Sequence, residues 1–470
     1  MNPVIIWFRR NLRLIDNAAL IAAAETGQPI IPVYIVDAQD CGTASRWWLH
    51  QSLCSLQKSL GELGGELLIR EGRPDEVLTE IYAATDATDV YYSRRYEALS
   101  RQQESDIEAA LGERLQIHAF DDDLLHPPNT IHTQTGTPYK IFTPFWRAAT
   151  AVGEPPSPRP TPEAMSFSSQ SLATRTISSI GLLTAAADRG FELEKTWSPG
   201  EASGLDRLDE LAPVVRRYHL GRDRPDLDET SRLSPHLHFG EISVRQVFAA
   251  VYGFERESLS DGAAALLRQL YWRDFSSYLL FHFPDLPTKP LRPEFEGFAW
   301  SDSETDLLAW QRGETGYPIV DAGMRQLLAT GWMHNRVRMI VASFLTKDLL
   351  IPWQAGAAWF LDNLVDAELA NNSASWQWVA GCGTDAAPFF RIFNPIRQGL
   401  KFDPQGDYVR QWVPELQDLP GKDIHEPWNV SPATAKFQYP ARMVDHGVAR
   451  QRALDAYRSV KGMRTSKLAP

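Results

Sequence analysis

Hydroxyl and arginine side chains occur together at residues 230–235, which read Thr-Ser-Arg-Leu-Ser-Pro. Three hydroxyl groups, one guanidinium and several backbone N–H groups stand there directly before a helical pattern. Such a segment can bind phosphate oxygens, because helix N-termini and arginine side chains both favour anions. An ordinary helix-capping turn uses the same residue types, so the segment alone is compatible with either role.

A second group of polar residues lies in two segments of the C-terminal half. Asn335, Arg338 and Met339 share one side of a predicted helix by their i, i+3, i+4 spacing, whereas Arg336 points elsewhere. Residues 366–372 then read Asp-Ala-Glu-Leu-Ala-Asn-Asn, and tryptophans follow at 376 and 378. A carboxylate of this segment near Arg338 would form a buried ion pair, which a purely structural role would also explain.

Other common catalytic arrangements are missing from the sequence. It contains no Ser/His/Asp order, no H-E-x-x-H, no P-loop and no kinase signature, so nucleophilic hydrolysis, zinc proteolysis and phosphoryl transfer have no support. His236 and His238 lack a cysteine or carboxylate at metal-ligand spacing, and the cysteines at 41, 54 and 382 form no metal-binding pair. We therefore expect neither a metal site nor a disulfide framework.

The charge balance restricts how the protein can bind nucleic acid. The 470 residues carry a formal net charge of -12, so a DNA site would need a local basic patch. Tryptophan is unusually frequent at 15 residues, which core packing usually explains and which is weak evidence for stacking or redox chemistry. No apolar run approaches the about 20 residues of a membrane-spanning helix and no signal peptide is recognisable, so we expect a cytoplasmic protein.

The N-terminal part alternates between strand and helix patterns. Apolar runs bounded by turn residues predict strands at 4–8, 30–36, 66–70, 89–93 and 115–120. A first helix is capped by Asp16 or Asn17 and ended by Gly27, and further helices are predicted at 45–63, 74–84 and 99–111. This order predicts a doubly wound, parallel-sheet α/β domain. No G-x-G-x-x-G follows the first strand, so a standard dinucleotide-binding fold is weakly supported.

The composition changes after the fifth predicted strand. Five prolines between 155 and 162 and a Ser/Thr-rich run up to 179 indicate a linker rather than a third domain. From about residue 199 the pattern is helical, for example at 258–283 and 333–350. We therefore predict an α/β domain at 1–128, a connector at 129–198 and an all-α domain at 199–470.

Several long motifs, in one order along almost the whole chain, resemble the photolyase/cryptochrome family. They are the opening segment Trp-Phe-Arg-Arg-Asn-Leu-Arg-Leu at 7–14 and the stretches at 218–225, 230–243, 272–275, 315–325, 331–336 and 393–402. Together these motifs are far more specific for the family than any single one of them. The resemblance implies an α/β antenna domain, a connector, and a helical domain that holds FAD beneath a cavity facing DNA.

For the cofactor, the resemblance implies two sets of contacts. The FAD diphosphate would be bound by Tyr218, Thr230, Ser231, Arg232, Leu233 and Ser234. Arg338 and Asp366 would pair beside the isoalloxazine ring, whose polar edge would be lined by Asp366, Ala367 and Glu368. Glu368 replaces the aspartate usual in the family, a change that could transfer this contact to the backbone.

Asn372 would face the central-ring nitrogen of the flavin. Plant cryptochromes have an aspartate at this position, whose acid form could supply a proton to the flavin. An amide cannot supply a proton in this way, so Asn372 would favour the fully reduced flavin anion used in repair.

On the DNA-facing side, the resemblance implies a pocket for a flipped-out lesion. Trp272 and Trp378 would form its walls and stack on the lesion, while Asn335 and Met339 would touch the damaged bases. DNA phosphates or the rim of the pocket would be contacted by Arg222, Arg273, Arg336 and Gln398.

Two residues of the predicted lesion pocket indicate different substrates. Gln269 stands where photolyases for cyclobutane pyrimidine dimers usually have a glutamate and enzymes for 6-4 photoproducts have a glutamine, whereas Asn335 stands where the 6-4 enzymes have a second histidine. We give Asn335 more weight and predict a lyase that splits cyclobutane dimers by electron transfer from excited reduced FAD, with Gln269 modifying rate or specificity. A 6-4 photolyase and a blue-light receptor cryptochrome are the alternatives; Asn372 and the end of the chain at Pro470, without a long tail, speak against the receptor.

The resemblance also implies an electron relay and an antenna. Trp376, Trp353 and Trp300 match the family's relay from flavin to surface, although core packing would explain the same residues. Folate-binding bacterial enzymes have a glutamate after the fourth strand, whereas this chain has a serine at that place, within residues 96–100. The segment Trp-Trp-Leu-His at 47–50 instead resembles a different branch of the family, nearer to the plant-cryptochrome-like bacterial photolyases. We favour methenyltetrahydrofolate as the antenna over a deazaflavin or an empty site, and expect a monomer.

Overall fold

A five-stranded parallel sheet forms the N-terminal part of the protein. The structure, a computed structural model, describes residues 1–36, 41–183, 193–254, 258–385, 390–430 and 437–466, with the side chains of the last segment described up to residue 460. The strands are β1 (Val4–Phe8), β2 (Ile30–Val36), β3 (Leu68–Glu71), β4 (Asp89–Ser93) and β5 (Gln116–Phe120). Their order is β3-β2-β1-β4-β5, so the chain starts at the centre and winds outwards to both edges. The predicted doubly wound α/β architecture is confirmed.

The sheet is covered by helices on both faces. All five residues of β1 are buried, as expected of a central parallel strand that reads as a continuous apolar run. Helices α1 (Ala18–Glu25) and α2 (Thr43–Glu62) pack on one face, and α3 (Pro74–Thr85) and α4 (Ala98–Leu111) pack on the other. Asn17 caps α1, because its Oδ1 accepts the Leu20 N–H at 3.1 Å.

The described part of the predicted connector, residues 129–198, includes a helix and a long extended segment. Helix α5 (Phe142–Val152) places Phe142 and Phe145 in the core of the helical half. Residues 153–176, all of them described, contain no helix and only an isolated bridge, between Ile30 and Phe167. Backbone bonds hold this segment along the sheet, because Ile30 N–H donates to Ser166 O and Arg175 N–H donates to Ile69 O.

The C-terminal half is helical. Its described helices are α6 (Leu193–Thr196), α7 (Glu201–Asp209), α8 (Ala212–Gly221), α9 (Ser234–His238), α10 (Val244–Phe254), α11 (Asp261–His282), α12 (Glu304–Arg312), α13 (Pro318–Thr330), α14 (Asn335–Ser343), α15 (Trp353–Asn363), α16 (Leu369–Ala380), α17 (Pro395–Phe402), α18 (Asp407–Trp412) and α19 (His446–Ser466). A π-helical turn, Phe344–Asp348, continues α14. Helix α14 starts two residues later than the predicted helix at 333–350, because His334 has extended backbone angles and acts as the cap. Among the described residues, no helix is long and apolar enough to cross a membrane.

Buried polar groups join the α/β part to the helical half. Glu241 is fully buried, and its Oε1 accepts from Trp48 Nε1 at 3.0 Å, from Ser52 Oγ at 2.5 Å and from the Gly200 N–H at 2.7 Å. Its Oε2 lies 2.5 Å from His236 Nδ1. A carboxylate with this many partners is satisfied away from water, and it joins α2 to the start of α7 and to α9.

Glu241→Ala should therefore destabilise the protein strongly. The substitution leaves several buried donors without an acceptor, and losses of this kind cost about 3–5 kcal/mol. We expect a clearly lower thermal unfolding midpoint by circular dichroism. Glu210→Ala is the control, because Glu210 is exposed and its ion pair with Arg207 is long at 3.8 Å. Equal midpoints for the two variants would contradict this role of Glu241.

Candidate active site

A cavity of ≈ 720 Å³ lies in the helical half between α8, α9, α11, α14 and α16. Its volume is in the range of ligand and cofactor pockets. Every residue predicted to bind the cofactor lines it: Tyr218, Thr230, Ser231, Arg232, Leu233, Ser234, Arg338, Asp366, Ala367, Glu368 and Asn372. Residues separated by as many as 154 positions (218 to 372) thus meet at one site, as the motif resemblance implies.

The segment 230–234 is shaped by an arginine that the sequence analysis did not identify. Arg207 donates from Nη2 to Thr230 O at 3.2 Å and from Nε to Ser231 O at 3.0 Å. Arg232 has a left-handed backbone with φ of 52°, and its guanidinium lies over the Trp332 ring at 5.3 Å. These contacts fix the course of the segment along the cavity, in the place where the diphosphate is predicted to bind.

An ion pair between Arg338 and Asp366 lies at the polar end of the cavity. Asp366 Oδ2 accepts from Arg338 Nη2 at 2.9 Å and from Ser234 Oγ at 2.6 Å, and Arg338 Nε donates to Met333 O at 2.8 Å. Asp366 Oδ1 is buried and has no hydrogen-bond partner in the described part of the chain. An unused acceptor on the lining of a cavity fits a ligand that brings an N–H group, which the ring system of a flavin does. The residues present therefore fit the predicted FAD.

Glu368 and Arg273 form a second ion pair at the cavity. Arg273 Nη2 lies 3.3 Å from Glu368 Oε1 and 2.7 Å from Asp123 Oδ1, and Arg273 Nη1 donates to Asp123 O at 2.6 Å. Burial raises the pKa of Glu368, while the Arg273 charge lowers it. The Arg273 side chain is 10 % exposed and lines the cavity, and its contact with DNA phosphates or with the rim of the pocket stays a prediction. The Glu368 carboxylate is likewise bound to protein groups, in agreement with a cofactor contact through the backbone.

Asn372 lines the cavity with its amide fixed to the neighbouring helix. Its Nδ2 donates to Ala357 O in α15 at 3.0 Å. The side chain offers no acidic proton to the cavity, which is the property on which its predicted role depends.

The predicted lesion-binding residues divide into two groups. Trp272, Trp378, Gln269, Asn335, Met339, Arg222 and Arg273 line the cavity, whereas Arg336 and Gln398 are not among its lining residues. Arg222 Nη2 donates to Gln269 Oε1 at 3.3 Å, so these two side chains act as a unit. Arg336 Nη2 instead pairs with Asp223 Oδ1 at 2.8 Å, and its guanidinium lies 4.4 Å from the Phe402 ring centroid. Gln398 is half-buried on α17.

His334 positions the helix that carries Asn335 and Met339, and the sequence analysis did not assign it a role. Its Nδ1 accepts the Arg336 N–H at 3.1 Å, which caps α14. Burial, with further contributions from nearby arginines, lowers the pKa of His334 to about 4, so the ring is neutral and can accept this bond near neutral pH. Its location at the start of the predicted helix at 333–350 was the available signal, but histidine is not among the usual capping residues.

The three tryptophans of the predicted relay differ in burial. Trp376 lines the cavity, is 2 % exposed and packs edge-on against Phe360 at 5.0 Å. Gly356 makes this position possible, because a Cβ there would lie 2.1 Å from the Trp376 ring. Trp353 is buried at the start of α15, and Trp300 is partly exposed beside Phe298. Trp376 and Trp353 are thus both buried and Trp300 is partly exposed, and the relay itself stays a prediction.

The residues considered for the antenna lie mainly in packed regions. Trp47 and Trp48 are buried on α2, and Trp48 is in contact with Trp197, His236 and Phe239 as well as Glu241. Ser100 is buried on α4. These contacts account for Trp48 by packing at the junction of the two halves.

Known proteins resemble this chain over nearly its whole length. A family model described as DNA photolyase matches residues 4–163, and one described as FAD binding domain of DNA photolyase matches residues 266–459. A deoxyribodipyrimidine photo-lyase from Agrobacterium fabrum is 46% identical, covering 98% of both chains. The crystal structure of a bacterial class III photolyase from Agrobacterium tumefaciens has a TM-score of 0.95 at 46% identity, with 98% of each chain covered. Cryptochrome-2 from Arabidopsis thaliana is 37% identical over 90% of this chain and 72% of its own.

Asp366→Asn should reduce retention of FAD. The amide removes the negative charge beside Arg338 and weakens the acceptor at Oδ1, and losing a charged hydrogen-bond partner typically costs about 1.5–3 kcal/mol. We expect a lower ratio of flavin to protein absorbance after purification. Asp407→Asn is the control, because Asp407 is exposed and outside the cavity lining. Full FAD retention by the Asp366 variant would show that this carboxylate does not hold the cofactor.

Proposed function

Because the chain belongs to the photolyase/cryptochrome family, we infer that it is a deoxyribodipyrimidine photo-lyase, which repairs cyclobutane pyrimidine dimers in DNA under blue light. The observation that carries this inference is that one cavity combines the Arg338–Asp366 pair with two tryptophans, Trp272 and Trp378, on its lining. Bound reduced FAD would supply the excited-state electron that opens the dimer and would take it back afterwards, which is chemistry that side chains do not provide.

The chain's own residues would hold the flavin and control protons around it. Tyr218 and the segment 230–234 line the cavity and would hold the diphosphate, and Asp366 would offer an acceptor to the ring. Asn372 presents an amide held by Ala357 O, so no acid stands at that point of the cavity. Because Arg338 is paired with Asp366, its charge is balanced within the site rather than by water.

The tryptophans would receive the flipped lesion. Stacking on an aromatic ring contributes about 1–3 kcal/mol per base, which offsets the few kcal/mol needed to extrude an already distorted dinucleotide. Asn335 and Met339 line the same cavity and would meet the damaged bases. Arg222 lines the cavity and would contact a DNA phosphate or the rim of the pocket. Arg336 and Gln398 do not line the cavity, so their contacts with DNA would lie outside it.

The same geometry supports one lesion over the other. Gln269 is bonded to Arg222 and would act on the lesion together with it, whereas Asn335 gives the cavity an amide where a 6-4 enzyme would need a titratable histidine. We propose the cyclobutane dimer as the substrate. A signalling role is less favoured, because cryptochrome-2 is 37% identical and the photo-lyase from Agrobacterium fabrum is 46% identical.

We further propose methenyltetrahydrofolate as an antenna chromophore, with a deazaflavin as the alternative, on the basis of the motif at 47–50. Absorbance and fluorescence of the chromophore released from purified protein would distinguish the two. We also propose a cytoplasmic monomer, which light scattering of the purified protein and cell fractionation would test.

The proposed function predicts light-dependent repair of one lesion type. Oligonucleotides containing a cyclobutane dimer should be repaired under blue light and unchanged in darkness, and oligonucleotides with a 6-4 photoproduct should remain unrepaired. Gln269→Glu should raise the yield on the dimer, since a carboxyl group can supply a proton to the opening ring and an amide cannot. Chromatography of the digested product measures both reactions. Repair of the 6-4 lesion, or a lower dimer yield in the variant, would contradict this choice of substrate.

Trp376→Phe should separate photoreduction from repair. The change keeps most of the aromatic volume, and volume-conserving core substitutions usually cost less than about 1.5 kcal/mol. Photoreduction of oxidised FAD with an external thiol should be nearly abolished, whereas dithionite-reduced enzyme should still repair the dimer. The matched control is Trp310→Phe, since Trp310 is also buried and contacts Trp376 but is outside the predicted relay. Unchanged photoreduction would assign Trp376 to packing alone.

A further inference from the structure

One wall of the predicted lesion pocket is supported by the connector. Phe142, the first residue of α5, is fully buried, and its ring lies face to face with Trp272. The ring centroids are 3.6 Å apart and the planes differ by 7°. Since Phe142 covers one face of the indole, the half-buried Trp272 can present only its remaining surface to the cavity.

Phe142 is itself held by other rings. It meets Phe275 edge-on at 5.8 Å, and Trp146 lies nearly parallel to it at 6.4 Å. The Arg268 guanidinium lies 5.4 Å from the Phe142 ring and 4.9 Å from the Trp146 ring. Edge-on aromatic pairs and cation–π contacts each favour particular orientations, so they restrict the plane of the Phe142 ring and, through it, that of Trp272.

The start of α5 also contacts the segment that holds the second wall. Trp378 Nε1 donates to the backbone oxygen of Asp385 at 3.2 Å. Burial raises the pKa of the Asp385 carboxyl group, whereas a hydrogen bond from the Phe142 N–H and the charge of Arg268 lower it. Asp385 thus bonds to Trp378 through its carbonyl group and to α5 through its side chain.

We propose that Phe142 is a positioning residue for lesion recognition. It fixes the plane of Trp272, and its backbone bond to Asp385 links this wall to the segment that holds Trp378, so the slot for the flipped dinucleotide exists before DNA binds. A pre-oriented indole has less rotational freedom to lose when it stacks on the lesion, which raises affinity without a new contact. The inference rests on the proposed function, because it concerns the recognition of that same dimer.

The test compares Phe142→Leu with Phe145→Leu. Phe145 lies on the same helix and is 1 % exposed, but its ring contacts Phe275 and Tyr278 rather than Trp272. Binding to dimer-containing and undamaged oligonucleotides is measured for each variant, together with KM and kcat of repair and FAD content. Phe142→Met is measured in parallel, because it retains more of the side-chain volume.

Phe142→Leu should weaken binding of dimer-containing DNA by about 3- to 10-fold, which matches the coupling of an aromatic pair. Binding of undamaged DNA and FAD content should stay unchanged, and KM should rise more than kcat falls. Phe145→Leu should lower thermal stability to a similar degree and leave the ratio of the two affinities as in the wild type. In the Trp272→Leu background, the effect of Phe142→Leu on dimer affinity should disappear.

Several results would overturn the inference. An equal loss of dimer affinity in the two leucine variants, an equal loss for undamaged DNA, or an effect that persists without Trp272 would reduce Phe142 to a packing residue. If the wild type distinguishes and repairs dimers, and both Phe142→Leu and Phe142→Met bind and repair them as the wild type does, the positioning role of Phe142 is rejected and the proposed function stands. If the wild type does not distinguish dimer-containing DNA, the proposed function fails first.

Discussion

A cavity of ≈ 720 Å³ within a packed helical half is the constraint on which the rest of the structure depends. Protein interiors are normally filled, and a residue that lines a void loses its van der Waals partners on one side. The residues that line the cavity must therefore be held by contacts on the side away from it. Arg207 holds the segment 230–234, Met333 O holds Arg338, and Ala357 O holds Asn372. These bonds join the lining to protein groups behind it.

The arginines near the cavity are paired with carboxylates, which limits how they could attract DNA to the proposed site. Arg338, Arg273 and Arg336 each pair with at least one carboxylate at 3.3 Å or less. A paired arginine attracts a distant phosphate weakly, because the neighbouring negative charge cancels much of its field. Recognition is then expected to depend more on the shape of the cavity and on stacking than on long-range attraction. This agrees with the net charge of -12, which gives the protein no overall attraction to nucleic acid.

Local rules predicted the sheet well, and motifs predicted which residues meet at the cavity. The strand Val4–Phe8 and its neighbours are apolar runs between turn residues, and Asn17 caps the first helix as its residue type suggests. The partners of long side chains were not predictable in the same way. Arg273 was assigned to DNA from its place in a motif, but Asp123, 150 positions away, holds its guanidinium. Phe142 belongs to the connector, where nothing in the local pattern indicates a stack with Trp272. Residue type and spacing describe one element at a time, whereas these contacts depend on how separate elements pack.

The contacts of Glu241 also bear on energy transfer from a chromophore in the α/β part to a flavin in the helical half. It ties Trp48 in the α/β part directly to His236, which lies on the helix that follows the segment 230–234. For any chromophore carried by the α/β part, the separation and relative orientation of its transition dipole and that of the flavin would then be restricted by these buried contacts. Dipolar energy transfer falls steeply with separation and depends on the relative orientation of the two dipoles. A protein with a loose junction would sample efficient and inefficient geometries in turn, whereas a junction held by buried hydrogen bonds would narrow that range.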